Sequence, residues 1–453
     1  MQKSLFLKVL IILALTALIF VLMAVIGSTI EERSQYRQQA VNSIASDSVR
    51  EQTITGPILV IPYTDEFEQV VDKNGVKEVV TRSVQRKHLV FPNQLDIKGK
   101  VDTDHRYRGI HKVLVYSGRH QIGGGFILPV AFELPRGSPQ SRITIGKASV
   151  ALGIEDARGI RDISKVAWDQ GKFEFQESTG LQSIGEGVHA DVGMLPLTQA
   201  GFVKFALELS LDGIERQHFV PVGKTNTVTL TSAWPHPQFS GRFLPSPSNR
   251  SIDDSGFKAT WNISSLATTA QQQLRQSELN GVATDGPRPP ALDRFSVGFI
   301  EPVNVYSLAN RASKYGLLFV ILTFGAFFVF EMLKRLPIHP IQYLLVGLAL
   351  AVFFLLLVSL SEKIDFGVAY LSASVACIAL ISFYLSYVLR DWRRGVGFGL
   401  GLTLLYSALF GLLISESNAL VMGSILLFAI LAAVMVATRK IDWYQVAAGE
   451  AKA

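Results

Sequence analysis

Cysteine is almost absent from this chain. Cys377, in an apolar run, is the only one among 453 residues, so a disulfide within the chain is excluded. This count is compatible with the cytosol or with a bacterial periplasm. The histidines follow no HxxxH, HxH or HExxH spacing, which predicts no metal site. His105 and His111 could meet across a sheet, but ordinary strand or loop histidines are the better interpretation.

Signatures of catalysis are also missing. Gly123, Gly124 and Gly125 are followed by neither a Lys-Ser/Thr pair nor a helix start, so they indicate a turn or bulge and not a phosphate loop. No GxSxG elbow and no serine–lysine pair of the β-lactamase type stands out. The sequence therefore predicts no catalytic, cofactor-binding or metal-binding residues, no cofactor and no enzymatic activity. An active site built from residues far apart in the sequence would leave no such signature.

Charge is scarce, and it is unevenly distributed. Charged residues make up 18% of the chain and hydrophobic residues 49%, with a mean hydropathy of +0.30. Residues 31–314 hold 32 of the 43 Lys and Arg and 30 of the 37 Asp and Glu, so this region is near neutral. A nucleic-acid-binding domain would carry a basic face with stacking aromatics. No nucleic-acid partner is predicted.

Long apolar runs lie outside that region and are nearly free of charge. A helix of about 20 apolar residues covers the roughly 30 Å hydrocarbon core of a bilayer. Pro337 and Pro340 end one run and admit the next, because proline cannot donate a backbone hydrogen bond inside a helix. The sequence predicts six transmembrane helices, at 9–26, 315–330, 341–360, 366–389, 395–414 and 419–438.

These apolar runs form an N-terminal membrane anchor and a C-terminal helical bundle. The lipid bilayer is therefore a predicted partner of the protein. Residues 1–29 are predicted to be an uncleaved signal anchor, because their apolar run is longer than that of a cleavable signal peptide and no A-x-A site precedes Glu31. Residues 306–444 are predicted to form a five-helix transmembrane bundle. Residues 445–453 then form a cytoplasmic tail.

Loop charges predict the orientation of the helices. Lys363 is the only Lys or Arg in the short loops at one set of helix ends, whereas nine flank the other set. Such an excess marks the cytoplasmic side, so both termini are predicted to be cytoplasmic and residues 30–314 to lie across the membrane. The nine are Lys3, Lys8, Lys334, Arg335, Arg390, Arg393, Arg394, Arg439 and Lys440.

The large region between the first two spans has a different sequence pattern. Residues 30–55 contain good helix formers and no proline, which predicts a stalk helix. Residues 56–305 contain many short strand-like runs separated by turn signals. This pattern predicts a mainly-β domain of one or two units with a β-sandwich-like architecture. Only 156–167 and 266–279 are helical candidates.

Charged side chains inside membrane segments mark ion or substrate paths, and they are almost absent here. Glu331 is the nearest, one turn from a helix end, and is predicted to pair with Arg335 four residues later. A relay role is the alternative. Glycines four residues apart are predicted to pack helices closely within the bundle, with a flexible gate or a homo-oligomer contact as alternatives. These glycines are Gly395, Gly397, Gly399 and Gly401.

Several motifs resemble one known family. The sequence is similar to the CreD family of inner-membrane, cell envelope integrity proteins over nearly its whole length, most specifically within 312–394. The external domain matches more loosely, in short motifs. The similar stretches are 312–319 (ASKYGLLF), 330–336 (FEMLKRL), 338–350 (IHPIQYLLVGLAL), 385–395 (LSYVLRDWRRG), 439–444 (RKIDWY), 242–245 (RFLP) and 256–261 (GFKATW).

The resemblance implies a multi-pass inner-membrane protein of a Gram-negative bacterium. It implies a link to a two-component regulatory system, to envelope integrity, to tolerance of a colicin and to β-lactam and envelope-stress responses. It carries over no catalytic residues. The first hypothesis is a non-enzymatic protein whose periplasmic domain binds an unidentified envelope component, either protein, peptidoglycan or lipid. The alternatives are a transporter or channel whose periplasmic domain captures or gates substrate, and an enzyme acting on cell wall or lipid.

Overall fold

A computed structural model describes residues 2–73, 76–109, 111–130, 132–195, 201–280, 292–299, 301, 305–334, 338–415 and 419–439. The chain forms two compact units, Met1–Gln39 with Val303–Ala453, and Ala40–Pro302. The predicted tail at 445–453 and Arg335, the predicted partner of Glu331, lie outside the described residues.

Helices account for the first unit. Among the described residues, five helices are long and apolar enough to cross a membrane, namely α1, α3, α4, α5 and α6, which confirms helices of the required length and composition at five of the six predicted spans. The sixth, α7, remains a prediction. The helices are α1 (Gln2–Asp47), α2 (Ala270–Asn280), α3 (Val305–Lys334), α4 (Pro340–Ser361), α5 (Phe366–Val388), α6 (Trp392–Ile414) and α7 (Ala419–Thr438), of which α2 lies in the second unit.

Short polar residues begin three of the membrane helices. Asp365 accepts a hydrogen bond from the backbone N–H of Gly367 at 2.8 Å, and Asp391 accepts one from Arg393 at 3.0 Å. At α4 the side chain of His339 accepts from the backbone N–H of Ile341 at 3.3 Å, just before the helix starts at Pro340. These caps satisfy backbone donors that have no partner inside the helix.

Strands dominate the second unit, and they form two mixed sheets, which confirms the prediction of a large mainly-β domain. The strands are β1 (Gln52–Lys73), β2 (Val76–Val90), β3 (Gln94–Arg108), β4 (His111–Leu128), β5 (Arg142–Ile145), β6 (Ala148–Ile154), β7 (Ile160–Ile163), β8 (Val166–Trp168), β9 (Gly171–Phe173), β10 (Gln176–Glu177), β11 (Gly187–Gly193), β12 (Gly201–Ile214), β13 (Arg216–Val220), β14 (Thr225–Ser232), β15 (Pro237–Gly241), β16 (Arg250–Asp253), β17 (Gly256–Ser264) and β18 (Phe295–Phe299).

Each sheet has one parallel pair among antiparallel neighbours. The first sheet runs β10-β11-β6-β1-β13-β18-β15, with β2 and β5 also paired to β1. The second runs β16-β17-β14-β3-β4-β12-β8-β9, with β7 paired to β12. The parallel pairs are β1 with β13 and β14 with β3. One apolar cluster contains side chains of both sheets, including Phe219 and Phe295 from the first and Trp261 from the second. The ring centroids of Trp261 and Phe295 are 5.2 Å apart.

Two predicted boundaries differ from the structure. The stalk helix was expected to reach residue 55, but α1 ends at Asp47 and β1 begins at Gln52. The β-branched residues Thr53, Ile54 and Thr55 favour a strand, and this stretch pairs in parallel with β13. The helical candidate at 156–167 is also wrong. Apart from a short turn, this segment forms β7 and the start of β8, both paired with β12.

Candidate functional site

The two histidines that could have met across a sheet are not brought together. In the hairpin of β3 and β4, the backbone of His105 pairs with Leu114 and that of His111 with Arg108, so the two are not cross-strand partners. The Nε2 atom of His105 instead lies 3.2 Å from Oε1 of Glu301. Within the part of the chain that the structure describes, no cluster of three or more His, Cys, Asp or Glu side chains could hold a metal ion.

A groove of about 750 Å³ lies beside helix α2 in the second unit. We call it the α2 groove. Sequence reasoning missed it because its walls come from the end of β2, the segment after β4 and a helix far along the chain. The side chains used below to describe it are Lys87, His88, Phe91, Phe132, Arg275 and Glu278.

Helix α2 presents one face to the core and another to the groove. Ala270 and Leu274 are fully buried, which anchors the helix to the domain. Gln271, Arg275 and Glu278 line the groove, and they follow one another at helical spacings of four and three residues. This i, i+4, i+7 pattern of polar residues was the only sequence signal for the site.

Aromatic rings and a guanidinium meet on the groove wall. The guanidinium carbon of Arg275 lies 5.1 Å from the ring centroid of Phe91, a cation–π contact. The rings of His88 and Phe132 are 5.9 Å apart. Burial, and then the positive charge of Arg275, lower the pKa of His88, so its imidazole is neutral at neutral pH.

A carboxylate is held in place at the other side of the groove. Glu278 accepts hydrogen bonds from the backbone N–H of Ser183 at 2.9 Å and from its hydroxyl at 3.0 Å. The Nζ atom of Lys87 lies 3.7 Å from the second carboxylate oxygen and also donates to the backbone carbonyl of Gly180. The groove thus offers flat apolar surface, the cations of Lys87, Lys224 and Arg275, and two carboxylates, of which Glu278 is held in place, a combination typical of a binding site.

Polar side chains tie the helices of the first unit together at two places. Glu331 on α3 accepts hydrogen bonds from Lys8 on α1, from the hydroxyl of Tyr343 on α4 at 3.0 Å and from the backbone N–H of Ile338 at 3.2 Å. We call Lys8, Glu331 and Tyr343 the first clasp. A carboxylate whose oxygens are occupied by three donors is suited to holding helices and poorly suited to relaying protons.

The second clasp, Arg33, Tyr306 and Glu362, connects the same three helices, but here the tyrosine is on α3 and the carboxylate follows α4. Glu362, which follows α4, accepts a hydrogen bond from the hydroxyl of Tyr306 on α3 at 3.2 Å. The Nε atom of Arg33 on α1 lies 4.0 Å from the same carboxylate oxygen. Each clasp therefore contains one carboxylate, one tyrosine hydroxyl and one cation of α1.

The four glycines of α6 divide into two pairs. A β-carbon at Gly395 would lie 2.2 Å from Oγ of Ser386, and one at Gly399 would lie 2.2 Å from Oγ of Ser382, so this pair lets α6 approach α5 closely. Gly397 and Gly401 would place a β-carbon within 4 Å of nothing in the described part of the chain. Only the first pair packs inside the unit.

Comparison with known proteins identifies the family. Residues 4–444 match the family described as inner membrane protein CreD. The chain is 34% identical over 449 residues to inner membrane protein CreD of Escherichia coli (strain K12), covering 98% of this chain and 95% of that protein. A solved two-domain M1 zinc metallopeptidase bound to L-tryptophan aligns over 46% of this chain and 42% of its own at 11% identity, but the TM-score of 0.19 is too low to support any structural conclusion. The chain belongs to the CreD family of inner membrane proteins.

Proposed function

We propose that this inner-membrane protein is not an enzyme and supports cell envelope integrity, including the response to envelope stress and β-lactams, by binding an envelope component. In this proposal six helices span the membrane, both termini are cytoplasmic and residues 30–314 are periplasmic. The nine-to-one distribution of loop Lys and Arg supports this orientation. The shared apolar core of the two sheets supports a β-sandwich-like periplasmic domain.

The α2 groove is the observation that carries the binding proposal. Its volume of about 750 Å³ suits part of a larger molecule, such as a peptide segment or a sugar chain. Phe91 under the guanidinium of Arg275 provides an apolar surface with a positive edge. Glu278, fixed by Ser183, provides an acceptor at the opposite side. A protein or peptidoglycan partner offers both apolar and polar groups to such a surface.

In-cell photocrosslinking tests the proposal. A photoreactive amino acid at His88, Phe132 or Gln271 should capture a reproducible envelope component, and Arg275→Ala in the same chain should reduce that capture several-fold. Probes at Thr81 and Asp191, which are exposed and lie outside the groove, serve as matched controls. Capture that is equal at all positions, or unchanged by Arg275→Ala, would remove the groove from the proposal.

A second experiment tests whether the α2 groove is needed for envelope integrity in cells. Cells that lack the protein should become more sensitive to detergent and lysozyme, and the wild-type chain should restore resistance. Arg275→Ala should restore it poorly, whereas Arg250→Ala, which is exposed outside the groove, should restore it fully. Unchanged sensitivity in the deletion strain would remove the envelope-integrity role.

A transporter or channel is the second candidate, because some hydroxyls buried in the bundle have no hydrogen-bond partner among the described residues. These are Oγ1 of Thr323 and Oγ of Ser382. Unsatisfied hydroxyls within a bilayer are costly unless a solute or water reaches them. Substrate flux into proteoliposomes that Gly399→Leu abolishes would favour this candidate over binding alone. The exposed pair Gly397 and Gly401 leaves a homo-oligomer contact as part of either proposal.

A further inference from the structure

The outer face of the second sheet is polar along five neighbouring strands. In β14 (TNTVTLTS), alternate residues are buried, and Thr229 and Thr231 face outward. The same alternation in β3 buries Ile97 and Val101 and turns Lys98 and Lys100 outward. Successive side chains of a strand point to opposite faces, so each strand contributes every second residue to this surface.

The register aligns these outward residues in rows across the sheet. Lys100 pairs with Arg119 on one side and with Thr231 on the other. Arg119 pairs in turn with Ser210, and Thr231 pairs with Lys258. We call these five residues the cationic row. The neighbouring row, built by the same pairings, contains Glu208, Gln121, Lys98, Thr229 and Thr260.

Like charges face each other directly in the cationic row. Arg119 is opposite Lys100, and a like-charged pair at this position destabilises a sheet by a few tenths of a kcal/mol or more. In the part of the chain that the structure describes, none of Lys98, Lys100, Arg119 and Lys258 has a side-chain hydrogen bond or ion pair, and all four are exposed. An anionic ligand would relieve this repulsion.

The carboxylates nearby do not neutralise the row. Glu208 is the only acid among the described residues that line the depression over these rows, and its Oε1 accepts a hydrogen bond from Gln121 at 3.3 Å. Asp212 lies beyond Ser210 on the same strand and is paired with Arg161 at 2.6 Å. The other acids on this face lie outside the depression: Asp162 pairs with Ser210, Asp102 follows Lys100 by two residues, and Asp96 and Asp104 lie on the same face of β3.

The shape and chemistry of the depression select the type of anion. It measures about 800 Å³, and its described lining contains no Phe, Tyr or Trp and no exposed large apolar side chain. A concave surface without apolar groups fits neither a flat bilayer nor a stacked base. Hydroxyls of Ser210 and Thr231 flank the cations, and phosphate oxygens accept hydrogen bonds from both kinds of donor.

Strand spacing places the cations at two distances. Arg119 and Lys100 are on adjacent strands, about 5 Å apart, whereas Lys258 is two strands from Lys100, about 10 Å away. One phosphate could therefore be held between Arg119 and Lys100, and a second one beside Lys258.

We propose that the cationic row binds a phosphorylated saccharide of the envelope, with its phosphate groups on Arg119, Lys100 and Lys258. The proposal rests on the periplasmic location given above, and it names a ligand class for a surface distinct from the α2 groove. The two can fail separately, because one is tested by direct binding and the other by crosslinking from the groove.

The test uses purified full-length protein in a neutral detergent and titration calorimetry. The probe is maltotetraose carrying two phosphate groups, compared with unmodified maltotetraose. Only the phosphorylated probe should bind, and its affinity should fall steeply as salt is raised. The triple variant Lys100→Gln, Arg119→Gln, Lys258→Gln should bind about tenfold more weakly or worse, because it loses charge-assisted hydrogen bonds.

A second triple variant controls for net charge. Lys77→Gln, Arg82→Gln, Lys147→Gln removes three exposed cations from the other sheet and its connections and should bind as the wild type does. Both variants should stay folded because all six side chains are exposed, and the variant of the cationic row should melt at or slightly above the wild-type temperature because it removes the like-charged pair of Arg119 and Lys100.

Three results would overturn the proposal. Unmodified maltotetraose could bind equally well, both variants could lose affinity equally, or the row could retain phosphatidylglycerol vesicles without binding the phosphorylated probe. The last result would assign the surface to a lipid membrane.

Discussion

The amide nitrogen of Gln217 lies 2.7 Å from Nε2 of His120, and this contact joins the two sheets in the interior of the β domain. The amide donates and the imidazole accepts, which leaves Nδ1 of His120 and Oε1 of Gln217 without partners among the described residues. The imidazole fits between Gly99 and Gly118, where a β-carbon on either glycine would lie 2.5 Å from one of its ring nitrogens.

Burial of His120 makes the stability of the β domain depend on pH. Burial lowers the pKa of His120 from 6.5 to about 4. Between these pH values His120 is protonated in the unfolded chain but neutral in the folded chain. The free energy of unfolding therefore falls as the pH decreases from 6.5 to 4. The loss from this group is about 3 kcal/mol, and it is complete below pH 4. Denaturation of the full chain, followed by tryptophan fluorescence at several pH values, measures it.

Two variants isolate the effect of His120. His120→Gln should flatten the pH dependence between 4 and 6.5, although it lowers stability overall. His189→Gln, which changes a half-buried histidine of β11, should leave the wild-type slope. An unchanged slope in His120→Gln would assign the pH dependence to other groups.

Close helix packing at Gly395 should be sensitive to added volume. Gly395→Val is expected to lower the thermal stability of the detergent-solubilised protein by about 1–3 kcal/mol, since its β-carbon would meet both Oγ and the backbone of Ser386. Gly397→Val is the matched control, because the described residues leave space at that position. Equal loss in the two variants would point to a general intolerance of β-branched residues in α6.

The first clasp should behave as a coupled unit. Glu331→Ala leaves the ammonium of Lys8 and the hydroxyl of Tyr343 without their acceptor, so a loss of about 1–3 kcal/mol is expected. Lys8→Ala should cost less, because Tyr343 keeps its hydrogen bond. The double variant Lys8→Ala, Glu331→Ala should be less destabilised than the sum of the two single variants. Simple additivity would mean that the ion pair contributes nothing.

Removal of the single cysteine creates a background for testing orientation. In a Cys377→Ala chain, Ser248→Cys and Trp392→Cys place one exposed thiol in the β domain and one at the first residue of α6. A membrane-impermeant maleimide added to spheroplasts should label Ser248→Cys at once and Trp392→Cys only after the membrane is permeabilised. The reverse pattern would invert the proposed topology.

Hydropathy was enough to predict the five helices of membrane-spanning length, because a span needs only a long apolar run. The strands were predicted from alternation and turns, but alternation cannot say which strands pair. The cationic row depends on that pairing, since Lys100, Arg119 and Lys258 come from three separate strands. The helix caps at Asp365 and Asp391 were not predicted, although an Asp just before a helix is a signal that a sequence can show.

The two clasps give the helical unit a fixed length. Lys8 and Arg33 are 25 residues apart on α1, and Tyr306 and Glu331 are 25 residues apart on α3. At about 1.5 Å per residue, both intervals are about 38 Å, slightly more than the roughly 30 Å of a hydrocarbon core. The two clasps thus lie about one bilayer thickness apart along α1 and α3. In a thinner membrane the bundle must tilt or the bilayer must thicken locally. In a thicker membrane the charged side chains of the clasps would be buried in the hydrocarbon core. A mismatch between helix length and bilayer thickness therefore acts directly on these polar contacts.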